Sequence, residues 1–185
     1  RLGRFAVERR NDPAPVPPRL AFRGTLSPLP TDSLYVEAAA LDLDEAFSFI
    51  GLRDLFGGRL DAELGIAGVL GQPVVIGEAA IERFTFAGRR AGEIALASRY
   101  VPGTDAVGVD LRLTPDAVSV RNDLRASGTV RFPGRTDDGR RDPGALDLAL
   151  DIDRLDLFIF DWLFPAIVAD ASGYATGTGR ITGIP

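Results

Sequence analysis

The chain has 185 residues, a net charge of −5 and a sequence pI near 4.8, with acidic and basic side chains interspersed along its length. That balance argues against a nucleic-acid partner, which calls for a concentrated basic surface. Cys, His and Met are all absent, which excludes disulfides, thiolate and imidazole catalysis and the usual zinc and copper sites.

Residues 1–20 include the proline-rich run Pro13–Pro18. Proline cannot donate to a central ladder, so this stretch reads as a linker or an extended edge. A short amphipathic helix is expected near residues 45–56. Asp42 with Glu45 resembles a capping box, Phe47, Ile50 and Leu55 fall near helical spacing, and Gly57-Gly58 supplies a stop.

Beyond it, period-2 alternation dominates. Leu60, Ala62, Leu64 and Ile66 alternate with Asp61, Glu63, Gly65 and Ala67, and the pattern recurs at Ile94 and Leu96, at Val107, Val109, Leu111 and Leu113, at Val118, Val120 and Leu124, at Val130 and Phe132, and at Leu146, Leu148, Leu150 and Ile152. Opposite positions carry Asp110, Arg112, Arg121, Asp123, Arg131, Asp147 and Asp151. Each strand therefore has one side that favours water, as in antiparallel strands forming a single layer or a half-open sandwich. Leu70-Gly71-Gln72-Pro73, Ala87-Gly88-Arg89-Arg90, Pro102-Gly103-Thr104-Asp105 and Thr114-Pro115-Asp116 mark hairpin turns, and Arg135 to Asp142 reads as a solvated loop.

A second, more apolar helix is expected near residues 154–164, from Leu155, Phe158, Ile159, Trp162 and Leu163, with Asp153 as cap and Pro165 as terminator. The apolar stretch from Leu155 to Val168 carries Asp156 and Asp161 and is shorter than the roughly 20 residues of a spanning helix, so no membrane span is expected in the chain.

Leu41-Asp42-Leu43-Asp44 matches Leu150-Asp151-Ile152-Asp153, and Ile66-Ala67-Gly68 matches Ile181-Thr182-Gly183. An internal repeat follows, with residues 21–145 as one β unit and 146–185 as the start of a second, in an elongated protein whose units stack edge to edge. Arg1 and Pro185 fall in mid-pattern, so the chain reads as a segment of a longer protein. With apolar residues at 45% and aromatics at 8%, a thin sheet suits the composition better than a thick aromatic core. The expected fold is all-β: an elongated antiparallel sheet with two short helices.

Two functional readings compete for the apolar stripes. Alternation reports one apolar face and not what covers it, so a core under an opposing sheet and an open groove both satisfy the pattern. Paired carboxylates, Asp42 with Asp44 and Asp151 with Asp153, invite comparison with glycoside hydrolases. Their place before each expected helix explains them as caps, and no enzyme activity, cofactor or metal is expected.

The string Gly57-Gly58-Arg59-Leu60-Asp61-Ala62-Glu63-Leu64-Gly65-Ile66-Ala67-Gly68-Val69-Leu70-Gly71-Gln72-Pro73, followed by Gly77, resembles the repeated motif of the TamB and AsmA-like proteins of diderm bacteria, as does the closing Gly177-Thr178-Gly179-Arg180-Ile181-Thr182-Gly183-Ile184-Pro185. The resemblance implies the periplasmic part of an inner-membrane-anchored protein, folded as a long, curved, taco-like β-groove lined by apolar side chains. It implies phospholipid acyl chains as cargo between inner and outer membrane, and an outer-membrane barrel protein as a partner. Alternation assigns the lining to Leu60, Leu64, Ile66, Leu96, Val109, Leu111, Val120, Leu148 and Leu150. The alternative function is an interaction or scaffold module that assists outer-membrane protein assembly by β-augmentation.

Overall fold

The computed structural model describes residues 2–8, 18–27, 29, 31–48, 55–70, 73–102, 104, 106–116, 121–135, 140–158 and 172–184. Its strands are β1 (Leu2–Glu8), β2 (Arg19–Gly24), β3 (Ser33–Asp42), β4 (Phe56–Ala67), β5 (Val74–Phe86), β6 (Arg89–Tyr100), β7 (Val107–Thr114), β8 (Asp123–Arg131), β9 (Gly134–Arg135), β10 (Arg141–Asp142), β11 (Ala145–Asp156) and β12 (Tyr174–Gly183), and the helix α1 (Leu43–Ser48) follows β3.

Ten strands form one antiparallel sheet in chain order, β1 through β8 and then β11 and β12, while β9 and β10 make a separate two-stranded hairpin between β8 and β11. Among the described residues each strand contacts mainly its sheet neighbours, and no second layer packs on either face. This is the mostly antiparallel β architecture that period-2 patterning implies. Local rules explain the joints. Ala87 (φ 49°) and Gly88 (φ 73°) both lie in the left-handed region, the requirement of the two-residue turn that joins twisted neighbouring strands, here β5 and β6.

The first helix begins earlier than the spacing suggests, at Leu43, and is described as far as Ser48. Asp42 Oδ1 accepts from the Glu45 backbone N–H at 3.2 Å, so the cap is real. Residues 49–54 lie outside the described residues, and Phe56 already belongs to β4. Gly57 and Gly58 are therefore strand residues, placed where the β4–β5 register slips between Gly57 and Arg59. The second expected helix is corrected at its start: Arg154, Leu155 and Asp156 belong to β11, Phe158 is helical, and residues 159–164 lie outside the described residues. The ends of the expected loop from Arg135 to Asp142 pair as strands β9 and β10, residues 136–139 lie outside the described residues, and Asp142 is buried, ion-paired to Arg131 at 3.4 Å and accepting from Gly144 N–H. Of the first 20 residues, Leu2–Glu8 form an edge strand paired to β2, and most of the Pro13–Pro18 run lies outside the described residues.

The two repeat-like segments occupy related places. The connections from β3 to β4 and from β11 to β12 leave the sheet at the same end, and β3 and β11 each carry a register slip shortly before departing, between Ala38 and Leu41 and between Ile152 and Leu155. At this end Phe47, Phe56, Phe84, Phe86 and Phe158 form a chain of rings, with centroid separations of 5.1, 6.5, 5.7 and 6.5 Å for the 47–56, 56–84, 56–86 and 86–158 pairs. Asn122, fully buried, ties the same end together. Its amide nitrogen donates to the Ala91 carbonyl at 2.8 Å, and its oxygen accepts from Asp156 N–H at 2.7 Å. Strands β6 and β11 are three steps apart in the sheet, roughly 14 Å at the usual spacing. One asparagine side chain bridges them because the strands converge beyond the ends of β7 and β8.

Candidate functional site

In an antiparallel ladder, paired residues project to the same face, so the registers assign every strand position to a side. Four rows cross one face. The first runs Leu60, Ile81, Ile94, Leu113, Leu124, Ile152. The second runs Ala38, Ala62, Ala79, Leu96, Leu111, Ala126, Leu150. The third runs Phe22, Val36, Leu64, Gly77, Ser98, Val109, Gly128, Leu148, Ile181. The fourth holds Leu34, Ile66 and Val75 on one side and Val107, Val130 and Leu146 on the other. No charged residue stands in any of these rows. The hydroxyl of Ser98 donates to the Gly77 carbonyl at 3.3 Å, so that polar group is satisfied within the sheet.

Eight of the nine residues read as lining from the sequence, Leu60, Leu64, Ile66, Leu96, Val109, Leu111, Leu148 and Leu150, therefore share this face; Val120 lies outside the described residues. All eight are half-buried. Lateral packing with sheet neighbours covers part of each side chain, and no layer of described residues covers the rest. Alternation picks out Ala62 but misses Ala79, Gly77, Ser98 and Gly128, which complete the rows, since small residues carry little hydropathy signal of their own.

The small positions have a steric reason at Gly77 (φ 139°), where a Cβ would collide with the Glu63 carbonyl of β4. The backbone there adopts a conformation open to glycine, and such kinks introduce curvature into a sheet. From β2 to β12 the face spans eight strand intervals, roughly 38 Å at about 4.8 Å each.

The opposite face is charged, and several of its charges are ion-paired. Asp110 accepts from Arg125 at 2.7 Å and Arg112 at 3.1 Å, and Asp147 takes both Arg180 Nε at 2.7 Å and Arg180 Nη2 at 2.6 Å in a forked pair. The hydrogen bond from Arg125, then that from Arg112, holds the Asp110 carboxyl below the usual carboxylate range, and the Arg180 bonds do the same for Asp147. Arg23 and Arg19 pair with Glu37 at 2.9 and 3.5 Å. A shallow concavity of about 590 Å³ over the middle strands lies on this charged side, among Glu37, Asp61, Glu63, Glu78, Asp110 and several alanines. Among the described residues no group of acidic side chains is arranged to hold a metal ion. Asp42 caps α1, while Asp151 and Asp153 are exposed on β11 across a register slip.

No family model, curated protein or solved structure matches the chain. No helix among the described residues is long and apolar enough to cross a membrane.

Proposed function

We propose that the uncharged sheet face carries phospholipid acyl chains, and that the chain serves the cell envelope as a non-catalytic segment of a lipid-bridging protein between inner and outer membrane. One observation carries the reading: three rows of apolar and small side chains run unbroken over the middle strands, a fourth flanks them in two parts, and no second layer of described residues packs on them. A face some 38 Å across exceeds the roughly 15 Å depth of one leaflet's hydrocarbon, so an acyl chain finds apolar cover along its whole length. Each buried CH₂ contributes about 0.8 kcal/mol, and such contacts have no direction, so a chain held this way can slide. The convergence of β6 and β11 through Asn122 supports a curved, groove-like surface. The resemblance of Gly57 to Gly77 and Gly177 to Pro185 to TamB and AsmA-like repeats supports a periplasmic setting.

A second reading has its own observation. Strand β12 lies at the sheet's edge and nearly every residue of it is exposed, which suits the capture of another strand by β-augmentation during outer-membrane protein assembly.

The test is binding of a fluorescent phospholipid to the parent chain and to Leu111→Asp and Leu148→Arg. On an open face the new charge keeps much of its hydration, so each variant is expected to lose lipid binding about tenfold or more while destabilising by under about 2 kcal/mol. Unfolding of both variants, with no lipid bound by the parent, would place these residues in a covered core and leave β-augmentation as the better account.

A further inference from the structure

We propose that the end of the sheet tied by Asn122 holds an anion-binding pocket for a phosphate group. A concavity of about 590 Å³ there is lined by Arg89, Arg90, Arg121 and Arg154, together with Asp156, Phe158 and Tyr174. Four arginines converge in a chain whose net charge is −5. The Asn122 bridge accounts for their convergence: Arg90 precedes Ala91, Arg121 precedes Asn122, and Arg154 lies two residues before Asp156, the three residues that the bridge joins.

Carboxylates neutralise only part of this cluster. Arg90 Nε lies 3.4 Å from Asp116 Oδ2, and Arg89 Nη2 reaches Asp156 Oδ2 only at 3.9 Å. Among the described residues Arg121 and Arg154 have no carboxylate within ion-pair distance, although Asp123 stands opposite Arg154 in the β8–β11 register. Two guanidinium groups are instead held by rings: Arg154 Cζ sits 3.5 Å from the Tyr174 centroid, and Arg89 Cζ sits 4.2 Å from the Phe158 centroid. Stacking occupies the flat face of a guanidinium and leaves its in-plane N–H fork for an acceptor. Arg154 Nε is buried and has no hydrogen-bond partner, a donor that is costly to leave unmatched.

A tetrahedral oxyanion answers each of these features. Its oxygens match the fork of an arginine two at a time, and its charge offsets the repulsion among the cations. The volume exceeds that of bare phosphate and suits a small phosphate ester. The pocket rests on its own arginines, independently of what the apolar face carries. A soluble phosphate ester and a phospholipid headgroup share this chemistry.

The arginine Nε–H NMR resonances of the chain would be followed at constant ionic strength during titration with inorganic phosphate, sn-glycerol 3-phosphate and monomeric dihexanoyl-phosphatidylglycerol. Saturable shifts are expected at Arg121 and Arg154. Arg121→Gln and Arg154→Gln should each weaken binding about tenfold or more, while Arg112→Gln on the charged face leaves it unchanged. Arg121 is exposed, so its variant is expected to fold normally. Tighter binding of the short-chain lipid than of glycerol phosphate identifies a headgroup as the ligand, and equal or weaker binding identifies a soluble ester; either result supports the site. Shifts no different from those of chloride, or unaltered by both glutamine variants, would overturn it.

Discussion

Asn122 shows how much of this sheet's shape rests on single side chains. Its two hydrogen bonds join β6 to the end of β11 with no exposure to solvent, so truncation leaves the Ala91 carbonyl and the Asp156 N–H without partners. Asn122→Ala is expected to cost about 2–4 kcal/mol by urea denaturation. A loss below about 1 kcal/mol would mean that the bridge contributes little to closing this end. Asp147 and Arg180 are the exposed counterpart. The Arg180 hydrogen bonds depress the Asp147 pKa in the folded state, so the pair's contribution to stability is complete above the unfolded carboxylate value and disappears as pH falls through the folded one. Arg180→Gln should return the Asp147 carboxyl to the ordinary range in an NMR titration of its Cγ. The stability gap between parent and variant should then close on acidification.

At the scale of elements, the strands were legible because each shows water one face, and the register followed from keeping most of the large apolar residues on the other, with Val74 and Ile76 of β5 as exceptions. The same logic misled at residues 154–156. A register slip between Ile152 and Leu155 adds a residue to β11, so Leu155 stands three after Ile152 and imitates helical spacing within a strand. Gly57 and Gly58 were legible as breakers, and their actual use at a register slip depends on β5, which lies far along the chain. The Asn122 bridge and the arginine pocket left no sequence signature, since both bring together residues from β6, the β7–β8 connection and β11. Gly77 gives a test at this scale. At φ 139°, with the Glu63 carbonyl in the way, Gly77→Ala should destabilise by about 1–3 kcal/mol, whereas Gly88→Ala, in an open turn, should cost less. Equal costs at the two positions would remove the steric argument for the kink.

For the molecule as a whole, the two faces differ in kind: one carries charges to water, and the other presents rows free of charge, the surface that the proposed function gives to lipid. Consecutive residues of β7 separate the faces most sharply, because Val109 and Leu111 project to the apolar side while Asp110 and Arg112 meet Arg125 and each other on the charged side. The most direct measurement places a photo-crosslinking amino acid at each of positions 109 to 112 in turn and irradiates the protein with phospholipid bound. The account predicts strong lipid adducts at 109 and 111 and weak ones at 110 and 112, a period of two that matches the strand. Adducts at all four positions alike, or at none, would contradict it.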